Sequence, residues 1–137
     1  QLKEENIDID TLTGIKVVPY IYNMEEVMNL ADLIVARSGA MTITEVSLLA
    51  KPAIFVPYPY ATENHQEYNA KVLEKIGAAR IVHNEDLEKI DLNKYIEELI
   101  YNKELLKQMG EKAKTVSNNN VLEVIYKEIQ NTILHKC

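Results

Sequence analysis

A short turn between two predicted elements carries the residues with the clearest chemistry in this sequence. Ser38-Gly39-Ala40-Met41-Thr42 follows an apolar run and opens a predicted helix that contains Glu45. Free main-chain N–H groups and the positive end of the helix dipole favour an anion at such a turn. The Glu45 carboxylate, further along the helix, could accept hydrogen bonds from a vicinal diol such as a ribose. A diphosphate and a ribose together indicate a nucleotide.

The same residues also fit an ordinary helix start. Thr42-Ile43-Thr44-Glu45 matches a capping box, in which a threonine and a glutamate satisfy main-chain donors. A Ser-Gly turn between a strand and a helix is also common in α/β proteins. The segment alone therefore leaves a nucleotide site and a capped helix as alternatives.

Four apolar runs that alternate with helical patterns would position this turn. The runs predict strands at residues 15–18, 33–36, 53–56 and 79–82. Helices are predicted at residues 24–30, from 41 or 42 to 50, and at 64–76, with Gly77 just beyond the last. This alternation predicts an α/β fold, a Rossmann-like parallel sheet with helices on both faces. Loops 19–24, 37–42 and 57–66 then share the carboxyl edge, where such sheets bind ligands.

Beyond residue 85 the apolar periodicity is helical only. Three stripes predict three helices that pack in a core. The stripes are Leu92, Tyr95, Ile96, Leu99 and Ile100; then Leu105, Leu106, Met109 and Ala113; then Val121, Leu122, Val124, Ile125, Ile129 and Ile133. The chain is therefore divided into a polar lead-in at 1–14, a nucleotide-binding core at 15–85 and carboxyl-terminal helices at 86–137.

Composition argues against several classes of function. The net charge is −6 and no basic cluster stands out, which argues against nucleic acid as a partner. No apolar stretch reaches the roughly 18 residues of a membrane span. The single cysteine, Cys137, excludes an internal disulfide framework. His65, His83 and His135 show no metal-ligand spacing, so neither a metal nor a cofactor is expected.

Four segments in fixed order carry a resemblance to a known family. They read VPYIYNM at 18–24, ADLIVARSGAMTITE at 31–45, KPAIFVPYP at 51–59, and NHQEYNA with LEKIGAA at 64–79. In order and spacing they resemble the carboxyl-terminal half of the MurG glycosyltransferases. Those enzymes transfer N-acetylglucosamine from its UDP donor to the lipid-linked muramyl-pentapeptide of peptidoglycan synthesis.

The resemblance implies one half of a GT-B architecture, in which two Rossmann-like domains face each other across a cleft. This chain would supply most of the domain that binds the donor, UDP-N-acetylglucosamine. In the family, the main chain at the position of Ile21 holds the uracil. The turn from Ser38 to Thr42 lies against the diphosphate, and Glu45 takes the ribose hydroxyls.

Further positions have roles implied by the resemblance or left open by it. His65 and Gln66 would reach the hydroxyls of the sugar, although His65 also fits the first turn of a helix. Met24 could close over the base or be a core residue. Arg37 could pair with a carboxylate or approach the ligand, and Glu67 is expected to be solvated. No residue of this chain is expected to be catalytic.

The family also implies parts that this sequence does not contain. An amino-terminal domain would bind the lipid-linked acceptor and supply the general base, and the first strand of the donor domain is missing. We therefore expect an exposed sheet edge and no transferase activity from the chain alone. The full-length enzyme would be peripheral at the cytoplasmic face of the bacterial membrane.

Three other hypotheses remain open at this stage. The chain could be a stand-alone nucleotide-sugar-binding subunit completed by a membrane-anchored partner. It could belong to another two-domain UDP-sugar transferase with a lipid acceptor such as diacylglycerol. It could also be a non-catalytic α/β interaction module.

Overall fold

A three-stranded parallel sheet forms the centre of the structure. The computed structural model describes residues 13–117. The strands are β1 (Ile34–Ala36), β2 (Ala53–Phe55) and β3 (Ala79–Ile81), hydrogen-bonded in the order β1-β2-β3. Val35 lies opposite Ile54, and Ile54 opposite Arg80, so the carboxyl ends of all three strands lie at one edge. The predicted parallel sheet is thus confirmed for three of its four strands.

Five helices surround this sheet in the described part of the chain. They are α1 (Met24–Leu30), α2 (Ala40–Leu48), α3 (His65–Lys75), α4 (Leu92–Ile100) and α5 (Lys103–Val116). Two short 3₁₀ turns, Thr62–Asn64 and Asn84–Asp86, follow β2 and β3. The bounds predicted for α1 agree with the structure, and those of α3 agree within one residue. The helix predicted over residues 121–133 lies outside the described residues.

The strand predicted at residues 15–18 is wrong. These residues form irregular chain without ladder pairing, and Ile15 and Val17 expose 58% and 48% of their surface. Apolar side chains favour a strand only where a neighbouring strand pairs with the main chain and a core covers the face. Neither condition holds here among residues 13–117, so β1 is an edge of the sheet.

Strand β2 is the centre of the core because both of its faces are covered. Ala53 and Phe55 belong to a cluster with residues of α2 and α3, whereas Ile54 packs with Leu99 of α4 and Met109 of α5. Complete burial of an Ile or Phe side chain contributes about 1.5–3 kcal/mol relative to exposure. The predicted α/β arrangement with helices on both faces is therefore confirmed.

The predicted core stripe of α4 is only partly right. Leu99 is completely buried, and Tyr95 and Ile96 pack against the same cluster. Ile100, however, exposes 42% of its surface. The helix presents a narrow stripe to the sheet, and Ile100 lies at the margin of that stripe.

A glycine ends α3 as predicted. Gly77 has a φ of 71°, which glycine adopts without the clash of a Cβ atom. Its N–H donates to the Glu74 carbonyl at 2.8 Å, and the Ala78 N–H donates to the Leu73 carbonyl at 2.9 Å. This pair of hydrogen bonds is a Schellman motif, which ends the helix and directs the chain into β3.

We expect Gly110→Ala to destabilise the fold, because α5 passes very close to the chain that leaves α2. A Cβ atom at Gly110 would lie 2.3 Å from the main-chain oxygen of Ala50. Such overpacking costs about 1–3 kcal/mol, whereas an unhindered Gly→Ala change in a helix stabilises by about 1 kcal/mol. Urea unfolding followed by circular dichroism measures the sign. Glu111→Ala, at the exposed neighbouring position, is the matched control, and a gain in stability for Gly110→Ala would contradict the close approach.

Candidate functional site

The start of α2 follows the carboxyl end of β1 without a side-chain cap. The helix begins at Ala40, and Gly39 is the N-cap residue. The capping-box alternative is therefore wrong, because Thr42 is the third helical residue rather than the N-cap. The reason is a short link of three residues between β1 and α2, which starts the helix three residues earlier than the box requires.

This helix start leaves main-chain donors unpaired. The first N–H with an intrahelical partner is that of Ile43, which donates to Gly39 at 3.0 Å. Within residues 13–117 the N–H groups of Ala40, Met41 and Thr42 have no hydrogen-bond acceptor. Glu45, on the same helix, is half-buried, and its carboxylate has no hydrogen bond or ion pair among residues 13–117. Three free donors and one free carboxylate thus lie on one helical segment.

Ser38 joins this helix start to α3. It is completely buried, and its hydroxyl donates to the main-chain carbonyl of Gln66 at 2.7 Å. In return, Asn69 Nδ2 donates to the Ser38 carbonyl at 3.0 Å. The two bonds place the amino-terminal ends of α2 and α3 side by side. Ser38 through Thr42 are therefore brought next to Gln66.

The side chain of Gln66 is fixed by the loop after β2. Its Oε1 accepts a hydrogen bond from the Tyr58 N–H at 2.9 Å. Arg37 holds the same loop, since its Nη1 donates to the carbonyls of Val56 and Pro57, both at 3.0 Å. The carboxylate alternative for Arg37 is wrong, because its partners are these two carbonyls and the side-chain oxygen of Asn84. Its approach to the ligand stays a prediction.

His65 is the first residue of α3 and is exposed. The chain enters this helix through Glu63 and Asn64, whose φ angles are 50° and 60°. Left-handed conformations are uncommon for residues other than glycine, and two in succession turn the main chain sharply. This turn places the consecutive residues His65 and Gln66 at the carboxyl edge of the sheet.

Ile21 and Met24 are less closely connected to the other predicted residues. Ile21 is half-buried before α1, and Met24 is the first residue of α1 with 44% of its surface exposed. The core alternative for Met24 is therefore wrong. Hydrogen bonds within residues 13–117 do not join either residue to Ser38 or Gln66.

The expectation that Glu67 is solvated is wrong. Only 13% of its side chain is exposed. Its carboxylate lies 3.0 Å from Lys71 Nζ and 3.5 Å from His83 Nδ1. The helical spacing of four residues brings the lysine over the glutamate, and β3 ends close by and supplies the histidine.

Comparison with known proteins identifies the family. The sequence model of the glycosyltransferase family 28 C-terminal domain matches residues 1–125. The chain belongs to this family. The resemblance to the carboxyl-terminal part of MurG glycosyltransferases is thereby confirmed, and the relatives and a solved structure agree with it.

Several relatives carry the name UDP-N-acetylglucosamine–N-acetylmuramyl-(pentapeptide) pyrophosphoryl-undecaprenol N-acetylglucosamine transferase, and two of them show the extent of the match. The one from Thermoanaerobacter sp. (strain X514) is 40% identical over 131 residues, which are 96% of this chain and 35% of the relative. The one from Caldicellulosiruptor saccharolyticus is 43% identical over 84% of this chain and 31% of the relative. The chain thus spans about a third of the length of these relatives.

A solved structure gives the same result. The crystal structure of Acinetobacter baumannii MurG superimposes on 85% of this chain with a TM-score of 0.73 and 35% identity, covering 33% of that protein. The parallel sheet and helices of this family 28 domain are thus those of one half of a GT-B enzyme. No helix among residues 13–117 has the length and apolar character needed to cross a membrane.

Sequence reasoning missed Asn69 and the partners of Arg37 in this family 28 domain. Asn69 follows Gln66 by three residues, so the two amides share a helix face, and this spacing could have indicated a joint role. The partners of Arg37 are main-chain carbonyls, which leave no trace in the sequence. The sequence placed the ends of β1 and β2 at the same edge, but only the strand pairing shows that the two strands are neighbours.

We expect Ser38→Ala to lower the free energy of unfolding by about 1–3 kcal/mol, because the buried Gln66 carbonyl loses its hydroxyl donor. Denaturant unfolding of the family 28 domain measures the loss. Thr44→Ala is the matched control, since its hydroxyl donates to the Ala40 carbonyl on an exposed helix surface. Equal effects of the two changes would show that the Ser38 bond has no special importance for stability.

Proposed function

We propose that this domain binds the nucleotide-sugar donor UDP-N-acetylglucosamine for a glycosyl transfer. The observation that carries the proposal is the hydrogen bond from Ser38 to Gln66, which places the free donors of α2 beside the Gln66 amide. A nucleotide sugar has the same order of groups, with an anionic diphosphate next to a neutral, hydroxylated ring. The names of the relatives supply the particular nucleotide and sugar.

The start of α2 suits the diphosphate. Ala40, Met41 and Thr42 offer main-chain N–H groups, and the helix terminus adds a partial positive charge of about +0.5. These donors would stabilise the charge that develops on the diphosphate as UDP leaves. Ser38 and Gly39 shape the turn beneath it, and this arrangement of donors needs no metal ion.

Glu45 and the segment before α1 suit the nucleoside. The free carboxylate of Glu45 would accept hydrogen bonds from both ribose hydroxyls, and such charge-assisted bonds are stronger than neutral ones. The main chain at Ile21 would read the acceptor–donor–acceptor edge of uracil. Met24, which is exposed at the start of α1, would close over the base.

His65 and Gln66 suit the sugar. Both lie at the start of α3. Gln66 is held next to the α2 turn by its main chain, and its side chain is held by the loop after β2. The NH₂ group of the Gln66 amide can donate to a hydroxyl oxygen of a pyranose ring. The sugar would therefore be recognised beside its own leaving group.

The complete reaction needs residues beyond this domain. In a full-length transferase of this family, the acceptor hydroxyl would attack the anomeric carbon of the donor with inversion while UDP leaves. An amino-terminal domain would bind the lipid-linked muramyl-pentapeptide and supply the general base. The full-length enzyme would act as a peripheral protein at the cytoplasmic face of the membrane, in peptidoglycan synthesis. The chain alone would bind the donor without transferring the sugar.

A titration of the ¹⁵N-labelled chain with UDP-N-acetylglucosamine and with UDP-glucose tests the proposal. We expect ¹⁵N–¹H shifts at Ile21, at the start of α2 and at Gln66 with both ligands. Differences between the ligands should be confined to residues near His65 and Gln66, because only the sugar differs. A well-dispersed spectrum that neither ligand perturbs would overturn the donor-binding proposal.

Glu45→Ala should weaken UDP binding at least about tenfold, since charged hydrogen bonds contribute about 1.5–3 kcal/mol. The preference for UDP over 2′,3′-dideoxy-UDP should also disappear, because the variant can no longer read the diol. Isothermal titration calorimetry measures both quantities. Glu74→Ala, at an exposed position near the end of α3, is the matched control. Retention of the ribose preference in Glu45→Ala would remove Glu45 from the site.

A further inference from the structure

We propose that Arg37 is a positioning residue that fixes which end of the Gln66 amide faces the sugar. The inference rests on the proposed function and adds a residue to it. Arg37 directs the amide nitrogen of Gln66 outward, so that Gln66 acts toward the ligand as a hydrogen-bond donor. Arg37 does this through one peptide group in the loop after β2.

The guanidinium of Arg37 is bound on several sides. Nη1 donates to the carbonyls of Val56 and Pro57 at 3.0 Å, and Nη2 donates to Asn84 Oδ1 at 2.9 Å. Its Cζ atom lies 5.6 Å from the centre of the Tyr58 ring, within the range of a cation–π contact. The planar fork of an arginine can satisfy these partners together, whereas a lysine cannot.

The decisive contact is to the peptide group between Pro57 and Tyr58. The oxygen of this group accepts from Arg37, and its N–H donates to Gln66 Oε1 at 2.9 Å. The C=O and N–H bonds of a trans peptide lie in one rigid plane and point in opposite directions, so fixing one fixes the other. A cation on the carbonyl also polarises the N–H and strengthens the bond that it donates.

The consequence is a defined polarity at Gln66. Its Oε1 is occupied by the Tyr58 N–H, and no acceptor for Nε2 is found among residues 13–117. Ser38 holds the main chain of the same residue, so Gln66 is fixed both at its main chain and at the end of its side chain. The NH₂ group is therefore left for an oxygen atom of the ligand. Loss of Arg37 frees the peptide plane, and the amide then loses the bond that orients it.

The test compares Arg37→Met and Arg37→Lys with the unmodified chain by calorimetry, using UDP and UDP-N-acetylglucosamine. We expect Arg37→Met to reduce the affinity for the nucleotide sugar about tenfold, the effect of one well-placed hydrogen bond. The affinity for UDP should stay within twofold, because Gln66 is proposed to contact only the sugar. Arg37→Lys should lie between, since one ammonium group can still reach the Pro57 carbonyl.

Asn84→Ala is the matched control, because it removes only the partner of Nη2. It should leave the ratio of the two affinities unchanged. An equal loss of UDP and UDP-N-acetylglucosamine binding in Arg37→Met would mean a purely structural role and would overturn the inference. Failure of the unmodified chain to bind UDP would instead overturn the proposed function.

A double-mutant cycle with Gln66→Ala decides whether Arg37 acts through Gln66. If it does, Arg37→Met adds less than about a twofold loss in sugar affinity once the Gln66 amide is gone. A further tenfold loss in the Gln66→Ala background would show that Arg37 affects the sugar by another route. Gln66→Glu adds an independent check, because a carboxylate can accept from Tyr58 but has no NH₂ to donate. Gln66→Glu should lose the same affinity for UDP-N-acetylglucosamine relative to UDP as Arg37→Met.

Discussion

The hydrogen bond from the buried Ser38 hydroxyl to the Gln66 carbonyl is the contact on which the candidate site depends. It joins the turn after β1 to the start of α3, two segments 28 residues apart in the chain. A buried hydroxyl without a partner is unfavourable by about 1–3 kcal/mol. The bond therefore favours the arrangement in which the two helix starts lie together. The return bond from Asn69 to the Ser38 carbonyl fixes their mutual orientation as well as their distance.

The sheet supplies the rigid base for this contact. β2 is buried on both faces and its register with β1 and β3 places the three carboxyl ends in one row. Loops that leave such a row can carry chemistry, because the scaffold beneath them does not move. Arg37 extends the row beyond the ladder by binding the carbonyls that follow β2. The strands have only three residues each. Beyond the main-chain ladder, side-chain hydrogen bonds hold the neighbouring segments together.

Elements that are specified locally could be predicted from the sequence, whereas long-range contacts could not. The bounds of α1 and the glycine end of α3 follow from periodicity and from glycine chemistry at Gly77. Residues 15–18 have the composition of a strand, but pairing is a property of two segments. The capping box failed because the N-cap is Gly39, three residues before Thr42, a shift that no local pattern reveals. The turn, the carboxylate and the His65-Gln66 pair of the candidate site were visible as residue types. Their connection through Ser38, Asn69 and Arg37 was not.

The distribution of charge shows how an acidic chain would hold the doubly charged diphosphate of the proposed donor. The net charge is −6, and residues 38–50 contain neither lysine nor arginine. Arg37, the cation nearest to the turn in sequence, is already bound to main-chain oxygens. Attraction must therefore come from oriented N–H dipoles, which act at short range and are fixed by the fold before the ligand arrives. Such donors can stabilise negative charge developing on the leaving group without the strong, long-range attraction of a lysine side chain. A site built from dipoles thus favours both departure of the diphosphate from the sugar and its later release from the protein.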